Sequence, residues 1–261
     1  MIQNKYTLGK LIGNGTYSNV YEGFHVEKET KVAIKFDIKD NDLSTHLMNH
    51  EIQMYLYMKK YNISHTITIK SFGIYEERQY LIMDYLPYSL PQYIHYLANQ
   101  TNQKKGKIKI HVLFTQIKQL LHLFHNGKLI HRDIKPDNIM ISSKGTPYFI
   151  DLGLSTSYHG TTKVLSKHIG SLLYSSYNTH KECYHYHPHD DMISFFYVVF
   201  DLFTNGDLPW KNIHMSDTKR KHRVLYTLKK YTDFHSYYQH YEDEYLSQWI
   251  QLYQEYNGIY H

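Results

Sequence analysis

The sequence predicts an α+β chain in two lobes, a small β-rich lobe followed by a mainly helical one. Three observations carry this. Short β-type runs separated by turn residues fill the first 84 positions. Two long apolar stripes at helical spacing come after Leu86. No internal repeat and no Pro/Ser-rich linker interrupts the chain, so the lobes join directly near residues 84–87.

Taken in order, residues 6–13, 18–24 and 31–38 read as strands, 43–60 as a helix, and 66–74 and 79–84 as two further strands. These make a first lobe of about 1–84. In the second, about 88–261, Ile110, Leu113, Phe114, Ile117, Leu120, Leu121 and Phe124 form one helical stripe. Met192, Phe195, Phe196, Val199, Phe200 and Phe203 form the other. Both are core-packing stripes. Residues 147–150 read as a short apolar strand and 241–256 as a helix.

A chain of 261 residues is long enough for one large domain of two lobes. Its single cysteine, Cys183, excludes an internal disulfide and fits a reducing compartment. The first ten residues are polar and carry no signal-peptide core, and the apolar run 192–203 is too short to span a bilayer. A soluble, intracellular protein is therefore expected, cytoplasmic or nuclear. The net charge of +5, with 20 histidines beside it, favours anionic partners, or serves solubility alone.

Several motifs carry chemistry. Gly13-Asn14-Gly15-Thr16-Tyr17-Ser18 lies between two strands. Glycines let backbone approach phosphate and expose N–H donors to it, although the same residues suit a tight hairpin turn. On the next strand, alternation puts Ala33 and Lys35 on one face. The small Ala33 leaves room for a flat base and Lys35 can reach phosphate oxygens; a solvated edge lysine is the other reading. Glu51, on the following helix, would pair with Lys35 if internal, or be a surface charge. Asp151-Leu152-Gly153 follows the strand 147–150, and its carboxylate suits magnesium, though Asp-x-Gly is also a common turn. His131-Arg132-Asp133-Ile134-Lys135-Pro136-Asp137-Asn138 sets a carboxylate, a lysine and an asparagine at short spacing. Those are the groups phosphoryl transfer needs, to orient a hydroxyl, neutralise phosphate and hold a metal ion.

This octapeptide matches the catalytic loop of protein kinases, and the motifs occur once each in the kinase order. From residue 4 to about 210 the chain resembles the casein kinase 1 family of serine/threonine kinases. The resemblance rests on Gly170-Ser171-Leu172-Leu173-Tyr174-Ser175-Ser176-Tyr177-Asn178-Thr179-His180, on Met83-Asp84-Tyr85-Leu86-Pro87, and on Asp190-Asp191 with Leu208-Pro209-Trp210. It implies a bilobal protein kinase fold over residues 1–261, shortened at its C-terminus, with a hinge at about 84–87. It implies ATP and Mg2+. Asp133 would be the catalytic base, Lys135 would contact the γ-phosphate, and Asn138 and Asp151 would hold metal. Lys35, held by Glu51, would bind the α- and β-phosphates under Gly13, Gly15 and Ser18. Ile12, Val20, Ala33, Met140 and Ile150 would enclose the adenine, with Met83 as gatekeeper and Asp84 and Leu86 as hinge partners. Asp191 would brace the catalytic loop.

Its partners would be protein substrates with acidic or phosphorylated flanks. Nucleic acid and membrane are not expected partners, and a monomer is favoured. Lys219, Arg220 and Lys221 resemble half of a substrate-anion site whose other half, an arginine in the family, is Leu173 here. Ser18 also replaces a glycine and Leu152 a phenylalanine. These departures motivate the alternative of a nucleotide-binding pseudokinase or scaffold. Outside the resemblance, His180, Cys183, His185, His187 and His189 crowd one segment, which suggests either zinc or a merely polar loop.

Overall fold

The computed structural model describes residues 1–100 and 102–259. By contacts the chain divides into two units, one of residues 1–89 with 140–155, the other of 90–139 with 156–261.

The first unit is built on an antiparallel sheet of β1 (Tyr6–Asn14), β2 (Ser18–His25), β3 (Thr30–Asp37), β4 (Ile69–Tyr75) and β5 (Arg78–Asp84), ordered β1-β2-β3-β5-β4. Register decides which side chains share a face. Val20 lies opposite both Gly13 and Lys35, and Ala33 lies opposite Met83. Because faces alternate, Gly13, Val20, Ala33, Lys35 and Met83 share one side. Val32, Ile34, Phe36, Tyr80 and Ile82 fall on the other, where with Ile2 and Tyr6 they form a buried core. One face is thus committed to packing and the other carries the expected nucleotide residues.

Helix α1 (Asp42–Lys60) begins where the Asn41 side chain accepts the Ser44 N–H at 3.0 Å. It buries Met48, Glu51, Ile52, Tyr55 and Met58, a stripe at three- and four-residue spacing with one carboxylate in it. A smaller sheet joins β6 (Tyr88–Ser89), β8 (Ile139–Ile141) and β9 (Pro147–Phe149). Strand β6 pairs with β8 through Tyr88 with Ile141 and Ser89 with Met140, and residues 140–155 belong to this unit. Strand β4 begins at Ile69 rather than at the expected residue 66. Thr68 gives its N–H to the Asp84 carboxylate at 3.0 Å, so a side chain replaces the ladder partner there.

The second unit holds α2 (Leu90–Gln100), α3 (Gln103–Asn126), β7 (Leu129–Ile130), α4 (Pro188–Phe203), α5 (Thr218–Tyr231), α6 (Phe234–Tyr237) and α7 (Glu244–Ile259), with short strands β10 (Thr156–Ser157), β11 (Val164–Leu165) and β12 (Tyr184–His185). Strand β10 pairs with β7, and β11 with β12. The expected stripes are buried except at Ile110 and Phe203, which are half-buried. Aromatic rings fill the core: Phe195 and Phe196 meet Trp249 edge-on, and Phe200 meets Phe234. Helix α7 starts at Glu244, not at residue 241, because the Asp243 carboxylate takes the N–H groups of Tyr245 and Leu246. Tyr241 instead turns its hydroxyl to Thr204 O and Asp207. No described helix is long and apolar enough to cross a membrane.

Helix α4 opens on a capping box, with Pro188 in its first turn and the His187 N–H bonded to Asp190 Oδ2 at 2.9 Å. Asp190 also accepts Ser176 Oγ at 2.7 Å and Asn178 Nδ2 at 3.2 Å. Burial outweighs these donors and pushes its carboxyl up to about 6. The fold therefore favours the protonated form. The stability this group contributes is full below the ordinary aspartate value and is lost as pH rises through about 6. Urea midpoints of the wild type and Asp190→Asn at pH 4 and 7 should draw together or cross in the variant's favour, by at most about 3 kcal/mol. Parallel profiles would count against this assignment.

Candidate active site

The expected site residues divide between the two units. In the first, Lys35 Nζ donates to Glu51 Oε2 at 2.6 Å and to Asp151 Oδ1 at 3.0 Å. The side chains of Lys35 and Glu51 are 9% and 2% exposed, whereas that of Asp151 is 46% exposed. Glu51 is thus internal, not a surface charge. Burial opposes the ammonium charge, but the carboxylates of Asp151 and Glu51 outweigh it and hold Lys35 above its ordinary value. Asp151 follows β9 in a left-handed conformation, φ 60°, and the next residue, Leu152, is buried.

Gly13, Gly15 and Ser18 lie at the β1–β2 turn, closed by the Gly15 N–H on Ser18 O at 2.9 Å. Ser44, unremarked in the sequence, tethers this turn: its hydroxyl donates to Tyr17 O and accepts the Ile38 N–H at 2.7 Å. Among the expected adenine residues Ile12 is exposed, Val20, Ala33, Met140 and Ile150 are half-buried, and Met83 is buried. Leu86 is half-buried beyond β5. Asp84 pairs with Lys70 at 2.7 Å and gives its N–H to Thr68 O, so that donor is already used.

In the second unit the catalytic-type loop follows β7. Asp133 is the hub. Its Oδ2 accepts Lys135 Nζ at 2.7 Å and Asn138 Nδ2 at 3.0 Å, and its Oδ1 accepts the Ser171 N–H at 2.8 Å. Asn138 also bonds Asp133 O at 2.9 Å. Asp191, fully buried, accepts the N–H groups of His131 at 2.7 Å and Arg132 at 2.9 Å, with His125 Nε2 at 3.1 Å. Arg132 itself has φ 69°, a left-handed turn just before Asp133. The bracing expected of Asp191 is therefore present as geometry. His125 and the Ser171 N–H were not foreseen: His125 carries no motif, and the Gly170–His180 stretch gave no sign that its Ser171 N–H would reach Asp133.

Lys219 and Arg220 are exposed and Lys221 is half-buried at the start of α5. Further along α5 Lys229 is buried, and its ammonium donates to Leu172 O at 2.7 Å and Ser175 O at 2.6 Å beneath Tyr197 and Trp210. The His/Cys segment does not form one cluster. Tyr184 and Tyr186 turn inward and His185 outward, with its Nδ1 on Thr162 O. His187 caps α4, His189 stacks on Tyr256, and Cys183 is exposed. His180 turns to the imidazoles of His168 and His222, which sequence spacing offers no reason to join to it.

Compared with known families, the chain matches the protein kinase domain model over residues 6–253.

The contact of Gly170 with the loop gives a direct test. At φ +82° a Cβ there would lie 2.5 Å from Arg132 O and 3.3 Å from Asp133 Oδ1. Gly170→Ala should destabilise the protein by about 1–3 kcal/mol, through backbone strain and displacement of Ser171. A melting temperature within a degree of wild type would contradict this packing.

Proposed function

The chain belongs to the protein kinase family, matched across residues 6–253, and from that premise we propose that it is a serine/threonine kinase of casein kinase 1 type. The reading includes ATP as phosphoryl donor, Mg2+ as cofactor, and acidic protein segments as acceptors. The observation that carries it is the setting of Asp133, whose carboxylate is oriented by Asn138, Lys135 and the Ser171 N–H together. A lysine two residues after the base is the serine/threonine arrangement. The Gly170–Ser171 step that docks on the base opens the stretch resembling casein kinase 1.

The residues then have distinct tasks. Asp133 accepts the proton of the acceptor hydroxyl as its oxygen attacks the γ-phosphorus, and the bond to the β–γ bridging oxygen breaks to release ADP. Lys135, partly exposed, neutralises charge on the transferred group. Lys35 grips the α- and β-phosphates, and Glu51 holds its ammonium in place. Asp151 and Asn138 would hold Mg2+. They fit a hard cation: Asp151 presents a half-exposed carboxylate, and Asn138 uses its Nδ2 on Asp133, leaving its amide oxygen for other work. When bound, the metal neutralises charge on the phosphates. Val20, Ala33, Met140 and Ile150 supply apolar surface to the base.

The net charge of +5 and the exposed Lys219 and Arg220 support acidic substrates. Leu173, in place of the family arginine, supports only a weak demand for prior phosphorylation. A free, exposed Cys183 agrees with an intracellular setting.

Radiolabelled ATP with casein and a peptide panel tests the reading. Phosphoserine and phosphothreonine are expected, with Asp133→Asn slower by about 100-fold or more. Label on tyrosine alone, or wild-type turnover no faster than that of Asp133→Asn, would overturn it. Asp151→Asn should lose turnover by several kcal/mol of transition-state stabilisation, roughly 3–4, while keeping its fold. Near-normal turnover in a folded Asp151→Asn protein would remove Asp151 from the metal site. Matched peptides with and without an upstream phosphoserine should differ by less than about tenfold in kcat/KM, about 1.4 kcal/mol.

A further inference from the structure

We infer that His168, His180 and His222 form a binding site for one divalent transition-metal ion of the zinc type, independent of phosphoryl transfer. Each offers one imidazole nitrogen, and the three atoms lie within 4.8 Å of one another. His180 Nδ1 and His222 Nδ1 are 3.0 Å apart. Nitrogens sharing a tetrahedral zinc at ordinary bond lengths stand ~3.3 Å apart, so little movement is needed to admit the ion.

The surroundings orient the rings as ligands. His168 Nδ1 faces Thr179 O at 3.3 Å, where a carbonyl requires it to carry the proton. That leaves the lone pair on His168 Nε2, which is buried without a hydrogen-bond partner. His180 Nε2 faces Ser175 Oγ at 3.4 Å, so its other nitrogen turns to the cluster. Backbone and hydroxyl groups that fix the outer nitrogen are the usual support of metal-bound imidazoles. His168 and His180 stack with an interplanar angle of 2°, and His222 meets both at about 50°. Three imidazoles without a carboxylate select a borderline metal such as zinc over magnesium or calcium. The three come from separate parts of the second unit, so an ion would cross-link the 168–180 segment to α5. A plain hydrogen bond between His180 and His222 explains their 3.0 Å approach, but not the orphaned, inward nitrogen of His168.

The test uses the full chain, stripped with a chelator and dialysed. It is titrated with Zn2+ by calorimetry and with Co2+ by visible absorption. Exposed His159 and His214 serve as controls for the other histidines. The wild type, His159→Ala and His214→Ala should each bind one tight Zn2+, show the intense bands of tetrahedral Co2+, and melt higher with Zn2+. His222→Ala, or His222→Gln if the first does not fold, and His168→Ala should bind at least about 100-fold more weakly and lose the bands and the melting shift. Only weak, multiple binding in the wild type would overturn the site, as would a tight site that survives both His222 and His168 replacement.

Discussion

A carboxylate with no exposed surface, Asp191, organises the second unit. A buried charge is tolerated only when fully hydrogen-bonded, and this one is bonded by the N–H groups of His131 and Arg132 together with His125. Directly after these two N–H groups the backbone turns left-handed at Arg132, with φ 69°. That turn sets where Asp133 points, and Asp133 in turn receives the Ser171 N–H beside Gly170. Remove the anion and the loop has no fixed origin.

The first unit solves a similar problem through a sheet. One face is apolar and closed, so Lys35, Ala33, Val20 and Met83 must lie on the other. Lys35 is kept charged in a buried place by two carboxylates of different character. Glu51 is internal, while Asp151 is half-exposed. The ammonium thus has one partner that holds it and another that solvent, and in the proposed reaction a metal, can reach.

Much of this was legible in the sequence because it is local. Alternating strands, the α1 stripe and the octapeptide from His131 to Asn138 each sit within a few residues, and local spacing predicts local geometry. Boundaries failed where a side chain intervened: Asp84 delays β4 and Asp243 delays α7. Spacing alone left the histidine segment open between zinc and a polar loop, and the side-chain directions decide it. Tyr184 and Tyr186 are the inward residues, which sends His185 to the surface. The imidazoles that do meet lie at 168, 180 and 222, and only the tertiary fold joins positions so far apart. Ser44 was hidden likewise, because a serine in a helix's first turn reads as a local capping partner, not as the tether of a distant turn.

The left-handed backbone at Arg132 and Asp151 bears on how this protein could be engineered or drift. A side chain at positive φ costs roughly 1–2 kcal/mol that glycine does not. At Arg132 selection for thermal tolerance alone would therefore reward glycine or asparagine. At Asp151 aspartate tolerates the left-handed region better than most residues, and its bond to the buried Lys35 ammonium offsets what strain remains. The two positions thus differ in how freely they can drift, the first by backbone strain alone and the second tied to an ion pair.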